Sequence, residues 1–151
     1  MMVPAAIVLS LAHSLSVDVA QTVSHLLGWE FVDVDKQIHG FLVKSLEYND
    51  PNRQFYQTAE SYILKTALNK KRAVICVSFD VFRHNQNLFN GKKVFFLHTG
   101  KQNFAQQSVV DQIAFKDRNK FLENCTEKIE CNGMAKTDIA AKIIKKIRTK
   151  L

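Results

Sequence analysis

The stretch AAIVLSLAHSLSVDVAQTVSHLLGWEFVDVD, from Ala5 to Asp35, decides the fold, because it reads as strand, turn, helix and strand with no residue left over. Ala5 to Ser10 is a short apolar run with the β-branched Ile7 and Val8, as expected of a strand buried on both faces of a parallel sheet. From about Ser16 the apolar positions become Val19, Ala20, Val23, Leu26 and Leu27, a helical spacing that Gly28 closes as a C-cap. Glu30 to Val34 reads as a second strand, running into Asp33-Val34-Asp35. This order is the outline of a phosphate-binding unit, whose turn is ordinarily glycine-rich and carries a lysine. Here the turn is Ser10-Leu11-Ala12-His13-Ser14-Leu15-Ser16-Val17-Asp18, with neither glycine nor lysine.

The rest of the chain continues the alternation. Ile38, Phe41, Leu42 and Leu46 space a second helix, broken by the turn cluster Tyr48-Asn49-Asp50-Pro51-Asn52. Phe55, Ala59, Tyr62, Ile63 and Ala67 give the next helix its apolar stripe, and Lys70, Lys71 and Arg72 follow at the end where the helix dipole favours cations. Ala73 to Ser78 is a third strand and Val94 to Leu97 a fourth, entered through Asn90-Gly91. Thr99 to Gln107 is polar and irregular, a loop, and Val110, Ile113, Ala114 and Phe121 space a helix from about Ser108 to Asn124. Glu127 to Glu130 fits a short fifth strand. The last helix opens at Thr137 and buries Ile139, Ile143, Ile144 and Ile147. Strands alternating with helices imply one α/β domain over residues 1–151, a parallel sheet covered on both sides with right-handed crossovers. In such sheets ligands sit at the carboxyl ends of the strands. Those ends gather Ser10 to Ser16, Asp33 to Asp35, Ser78 to Phe82 and the loop after His98.

Composition narrows the function classes. A chain of 151 residues with 46% hydrophobic and 23% charged residues can bury a core without staples and is not disordered. Cys76, Cys125 and Cys131 are odd in number and lack CxxC spacing, which fits a reduced cytoplasmic setting rather than a disulfide framework or a zinc site. No basic region precedes the apolar start, and no apolar run is long enough to span a membrane. The net charge of +7 is unevenly placed. Residues 1–35 hold no Lys or Arg but four acids, Asp18, Glu30, Asp33 and Asp35, so the remainder carries a surplus of eleven positive charges. The segment that should meet phosphates is therefore the acidic one.

With its loops placed, the chain resembles the shikimate kinase family of P-loop small-molecule kinases over nearly its whole length. The Ala5 to Asp35 stretch lines up without a gap against that family's strand, phosphate loop, helix and D-x-D segment. Gln54 to Glu60 (QFYQTAE) looks like its F-R-x-x-E segment, and Val74 to Ser78 like the strand feeding its triple-glycine turn. Arg118-Asn119-Lys120-Phe121-Leu122 looks like its R-x-P-L-Y segment. The resemblance implies a three-layer α/β/α fold with a five-stranded parallel sheet in the order 2-3-1-4-5. It also implies ATP phosphates on the loop after strand 1, magnesium near the first Asp of D-x-D, and shikimate against the second Asp, two arginines and the triple glycine. Carried over, the surviving positions are Asp33, the catalytic candidate if the chain is active, and Asp35 and Arg118 as substrate-binding residues. Asp35 would accept hydrogen bonds from substrate hydroxyls, and Arg118 would offer a forked donor to a carboxylate.

The departures fall on the chemistry. The loop lysine becomes Ser16, the magnesium-binding Ser/Thr pair becomes Val17 and Asp18, and the loop glycines fall on Ser10, His13 and Leu15. The arginine of F-R-x-x-E becomes Tyr56, the triple glycine becomes Ser78-Phe79-Asp80, and the lid offers only Lys101. Phosphoryl transfer rests on positioning and on cations that stabilise charge over the transferring oxygens, and one lost donor costs on the order of a hundredfold in rate. Asp18 is expected to sit near the helix N-terminus and repel a triphosphate.

Blander roles stand beside these. Strand-end aspartates also cap helices, so Asp33 and Asp35 are read equally as structural groups. Glu60, four residues after Tyr56, reads as ordinary helix surface. His13 has no Cys or Ser tied to it by spacing, and the five histidines show no metal-ligand spacing, so no metal site is expected. The resulting expectation is a shikimate kinase-like domain without kinase activity, a pseudoenzyme that binds a small anionic ligand or a protein partner. The alternatives are a divergent small-molecule kinase using ATP and magnesium, and a basic nucleic-acid-binding or scaffold protein. No recognised module supports nucleic acid.

Overall fold

The computed structural model describes residues 5–10, 13–45, 53–98 and 127–149. The expected loop Thr99 to Gln107 with Lys101, the helix near Ser108 to Asn124 with Arg118, and Cys125 lie outside these residues, as does the side chain of Tyr56. Five strands form one parallel sheet in the order β2-β3-β1-β4-β5. They are β1 (Ala6–Ser10), β2 (Glu30–Asp33), β3 (Ala73–Cys76), β4 (Lys93–His98) and β5 (Glu127–Glu130). Between them run α1 (His13–Leu27), α2 (Val34–Ser45), α3 (Arg53–Leu68) and α4 (Phe79–His84), the last followed by a 3-10 turn at Gln86–Phe89; α5 (Lys136–Thr149) follows β5. The expected strand order and three-layer architecture are observed.

Side-chain alternation along the strands builds the two outer layers. Ile7 and Leu9 of β1, Ile75 of β3 and Phe96 of β4 face a core shared with Ile38 of α2, Leu64 and Leu68 of α3 and Phe82 of α4. Ala6 and Val8, Val74 and Cys76, Phe95 and Leu97 face the opposite core with Val19 and Val23 of α1 and Ile139 and Ile143 of α5. Because every central strand is covered on both faces, its run of apolar residues is continuous rather than alternating. Gly28 has φ of +68°, the left-handed conformation that makes glycine the favoured residue there, and it closes α1 as expected.

Several boundaries and faces differ from the sequence reading. α1 begins at His13 rather than near Ser16, so Asp18 lies beyond the first turn, on an exposed face. β2 stops at Asp33, and Val34 and Asp35 belong to the first turn of α2. Tyr62 is 73% exposed and Leu26 56% exposed, whereas Glu60 is only 3% exposed. In α3 the buried stripe runs through Ala59, Glu60, Leu64, Ala67 and Leu68, one position round the helix from a stripe through Tyr62. The sequence reading has no counterpart for α4, since its N-cap Ser78 and first two residues, Phe79 and Asp80, fall where the resemblance placed a glycine turn. Ser78 nevertheless caps it, its Oγ accepting the N–H of Val81 at 3.3 Å.

Candidate functional site

Three chain crossings meet at the carboxyl edge of the sheet, where β1 hands over to α1, β2 to α2 and β3 to α4. At the first of these, Ser10 and Ser16 place their Oγ atoms 2.7 Å apart, and both residues are buried. Ser16 is 0% exposed. The position that the resemblance assigns to a phosphate-binding lysine thus carries a short hydroxyl turned into the protein and satisfied by the end of β1. A pair of buried hydroxyls this close offers mutual hydrogen bonding, and neither carries a charge that could meet a phosphate.

The two aspartates carry structural roles at the next crossing. Asp33 Oδ1 accepts the backbone N–H of Lys36 at 3.1 Å and so caps α2, which explains why that helix starts a residue before Asp35. Asp35 Oδ1 accepts the backbone N–H of Ser78 at 2.8 Å, across 43 residues of sequence. The two members of the D-x-D segment are therefore separated in function: one ends a strand and starts a helix, the other ties that helix to the turn after β3.

The same edge gathers a group that sequence spacing could not reveal. Asp33 and Cys76 are register partners in the parallel pairing of β2 with β3, and His13 opens the helix that returns over that face. Each of the three offers one ligand-type atom, and these atoms lie within 4.8 Å of one another. His13 Nε2 is 3.7 Å from Asp33 Oδ1. The Nδ1 atom of the same ring is buried and without a hydrogen-bond partner among the described residues. Burial pushes the Cys76 thiol well above the usual thiol range, and the charges of Asp33 and Asp35 push it further. Spacing along the sequence suggests no metal site, whereas the sheet brings three ligand-type side chains together here. His13, Asp33 and Cys76 come from three separate segments, so no local motif such as HxxxH announces them.

Behind this edge Glu60 belongs to the interior. The Asn85 amide donates to its Oε1 at 3.4 Å, and the same amide group donates to the carbonyl of Val81 at 2.9 Å, closing α4. Ser61 donates to Asn85 Oδ1 at 3.1 Å. Glu60 is thus one anchor of the α3 to α4 contact, and burial raises its carboxyl pKa, with a nearby His84 opposing and Asp35 reinforcing the shift. Arg118, the other carried-over substrate residue, is outside the described residues. Among the described residues no helix is long and apolar enough to cross a membrane.

No family model and no curated relative matches this sequence. Solved structures do. The shikimate kinase of Aquifex aeolicus superposes with a TM-score of 0.73 over 97% of both chains at 13% identity. The shikimate kinase of Acinetobacter baumannii, solved with shikimate, gives a TM-score of 0.73 over 98% of this chain and 94% of its own, at 18% identity. A gluconokinase of Sinorhizobium meliloti gives 0.58 over 99% and 94%, at 10% identity. At such identities the likeness is one of architecture, and the neighbours differ in the small molecule for which they are named. The chain has the fold of the shikimate kinases and related P-loop kinases.

Proposed function

We propose that this chain is a shikimate kinase-like domain that has given up ATP-dependent phosphoryl transfer and acts by binding a small anionic ligand at the carboxyl edge of the sheet. The observation that carries this reading is the buried Ser10 to Ser16 hydroxyl pair, 2.7 Å apart, in the place of the phosphate cradle. A triphosphate needs bare backbone N–H groups and a cation at that helix start, since its charge is otherwise unmatched. The first 35 residues supply no Lys or Arg at all. Asp33 and Asp35 remain at the edge, and Arg118 is the cation that would meet a ligand carboxylate.

A thermal-shift panel with MgATP, ADP, shikimate and inorganic phosphate tests the proposal. Shikimate is expected to raise the melting temperature, with Arg118→Ala removing that shift, and MgATP is expected to leave it unchanged. A ligand present at a hundred times its Kd stabilises by about 2.7 kcal/mol, well within reach of the method. Binding of MgATP at micromolar affinity together with phosphorylation of shikimate would overturn the reading.

A further inference from the structure

We propose that His13, Asp33 and Cys76 form a binding site for a borderline-soft divalent metal ion of the zinc class. The ligand chemistry is the first support. One imidazole, one carboxylate and one thiol are the donor types that zinc takes, whereas magnesium prefers an all-oxygen octahedral shell and is poorly served by sulfur. The site therefore differs in kind from an oxygen site for a nucleotide-bound cation.

Geometry is the second. Around a tetrahedral zinc ion, with bonds of roughly 2.0 to 2.3 Å, neighbouring donor atoms sit roughly 3.3 to 3.8 Å apart. His13 Nε2 and Asp33 Oδ1 already meet that spacing at 3.7 Å, and all three donor atoms fall within 4.8 Å. A contraction of about an ångström is left for the sulfur, within reach of side-chain rotation. The backbone fixes two of the three, because Asp33 and Cys76 are register partners on adjacent strands. Asp33 is further held by capping α2 through Lys36 N–H.

The surroundings are the third. His13 Nε2 stands 3.7 Å from Asp33 Oδ1, too far for a hydrogen bond and at the spacing of two ligands of one ion. Two of the three donors, His13 and Asp33, belong to the first 35 residues, which hold no Lys or Arg, and Asp35 is a second carboxylate whose charge is felt at Cys76. Cys76 is fully buried, and a divalent cation would take its sulfur as thiolate. Three protein donors leave a fourth tetrahedral position open to a further ligand, and the His13 side chain is about one third exposed.

The inference stands whether or not the chain uses ATP. It is tested on the full chain, stripped with chelator and titrated with Co²⁺, then Zn²⁺. The expected result is a thiolate-to-cobalt charge-transfer band that saturates at one equivalent, is abolished by Zn²⁺ and persists in excess Mg²⁺. Cys76→Ser should remove the band, and His13→Ala and Asp33→Asn should each weaken binding at least tenfold. Asp33→Asn keeps an oxygen to cap α2, and His13 is partly exposed, so these two variants report on binding even if Cys76→Ser fails to fold. Cys125→Ser and Cys131→Ser should leave the band intact. Absence of the band, its survival in Cys76→Ser, its loss in Cys125→Ser or Cys131→Ser, or displacement by Mg²⁺ would overturn the proposal.

Discussion

The Asp35 carboxylate accepts the backbone N–H of Ser78 at 2.8 Å, so the first turn of α2 holds the turn that follows β3. Ser78 in turn caps α4 through its side chain. One carboxylate thereby stabilises the edge of the sheet at two successive elements, and a charged acceptor makes the bond stronger than a neutral one. Asp35→Ala should cost about 1.5 to 3 kcal/mol in urea unfolding, because it leaves the Ser78 N–H without its charged acceptor. Asp35→Asn should retain most of that stability. Equal stability of Asp35→Ala and the parent would show that the contact holds nothing together, and would return Asp35 to a pure ligand role.

Glu60 supplies a pH signature. Burial raises its pKa in the folded chain above the ordinary carboxyl value of 4.5, against the pull of His84 and the Asn85 hydrogen bond. In the window between these two pKa values the folded state binds more protons than the unfolded state, so stability falls as pH rises through it. The penalty is absent below the unfolded pKa and complete above the folded one. Glu60→Gln, which keeps an oxygen for Asn85, should therefore be more stable than the parent at neutral pH and gain nothing at pH values below the carboxyl range. Denaturant midpoints across pH measure the difference. A gain of the same size at every pH would point to packing rather than titration.

Arg72 gives a purely conformational prediction. Its φ is +50°, and it is exposed, with its carbonyl accepting the Glu30 N–H at 3.1 Å as β2 begins. A side chain in this region costs about 1 to 2 kcal/mol that glycine avoids. Glycine gives part of that back through the greater freedom of its unfolded chain. Arg72→Gly should raise stability by about 0.5 to 1 kcal/mol, read as a higher denaturant midpoint with an unchanged slope. A loss instead would mean that the guanidinium has a stabilising contact which outweighs the backbone strain.

The layers of this fold were legible because the chain switches period cleanly. The β1 run of Ala5 to Ser10 has no polar residue until its end, and the α5 isoleucines repeat at three- and four-residue spacing, so both elements and their burial follow from the pattern alone. Faces were less legible where the helix is shallow or the buried residue is polar. Leu26 and Tyr62 satisfy a helical spacing yet face outward, while Ser16, Ser24 and Glu60 are buried with partners for their polar atoms: the Ser10 hydroxyl and the Gln21 carbonyl nearby in sequence, and the distant Asn85 amide. The short α4 has an ordinary helix start in Ser78 and Asp80, but it has too few residues for a helical period to show in the sequence. The His13, Asp33 and Cys76 group was beyond local reading for a different reason. Its members are joined by strand register and by the return of α1, which are properties of the sheet and not of any window of sequence.

The sharpest test of the rewritten loop is to put the lysine back. Ser16 is fully buried and its hydroxyl meets Ser10, so a lysine there would begin in an enclosed position rather than at the surface where a phosphate would bind. Burying an ammonium group without a partner is strongly unfavourable, and the side chain is also far larger than the one it replaces. Ser16→Lys should lose about 3 kcal/mol or more of folding stability and should not gain MgATP binding in thermal shift. Ser16→Ala, which removes one hydrogen bond and adds no charge, should lose only about 1 kcal/mol. The contrast between the two variants separates the cost of the charge from that of the lost bond. A stable Ser16→Lys variant whose melting temperature rises with MgATP would mean that the loop opens readily, and the divergent-kinase alternative would then hold in place of the one argued from the closed pair of serines.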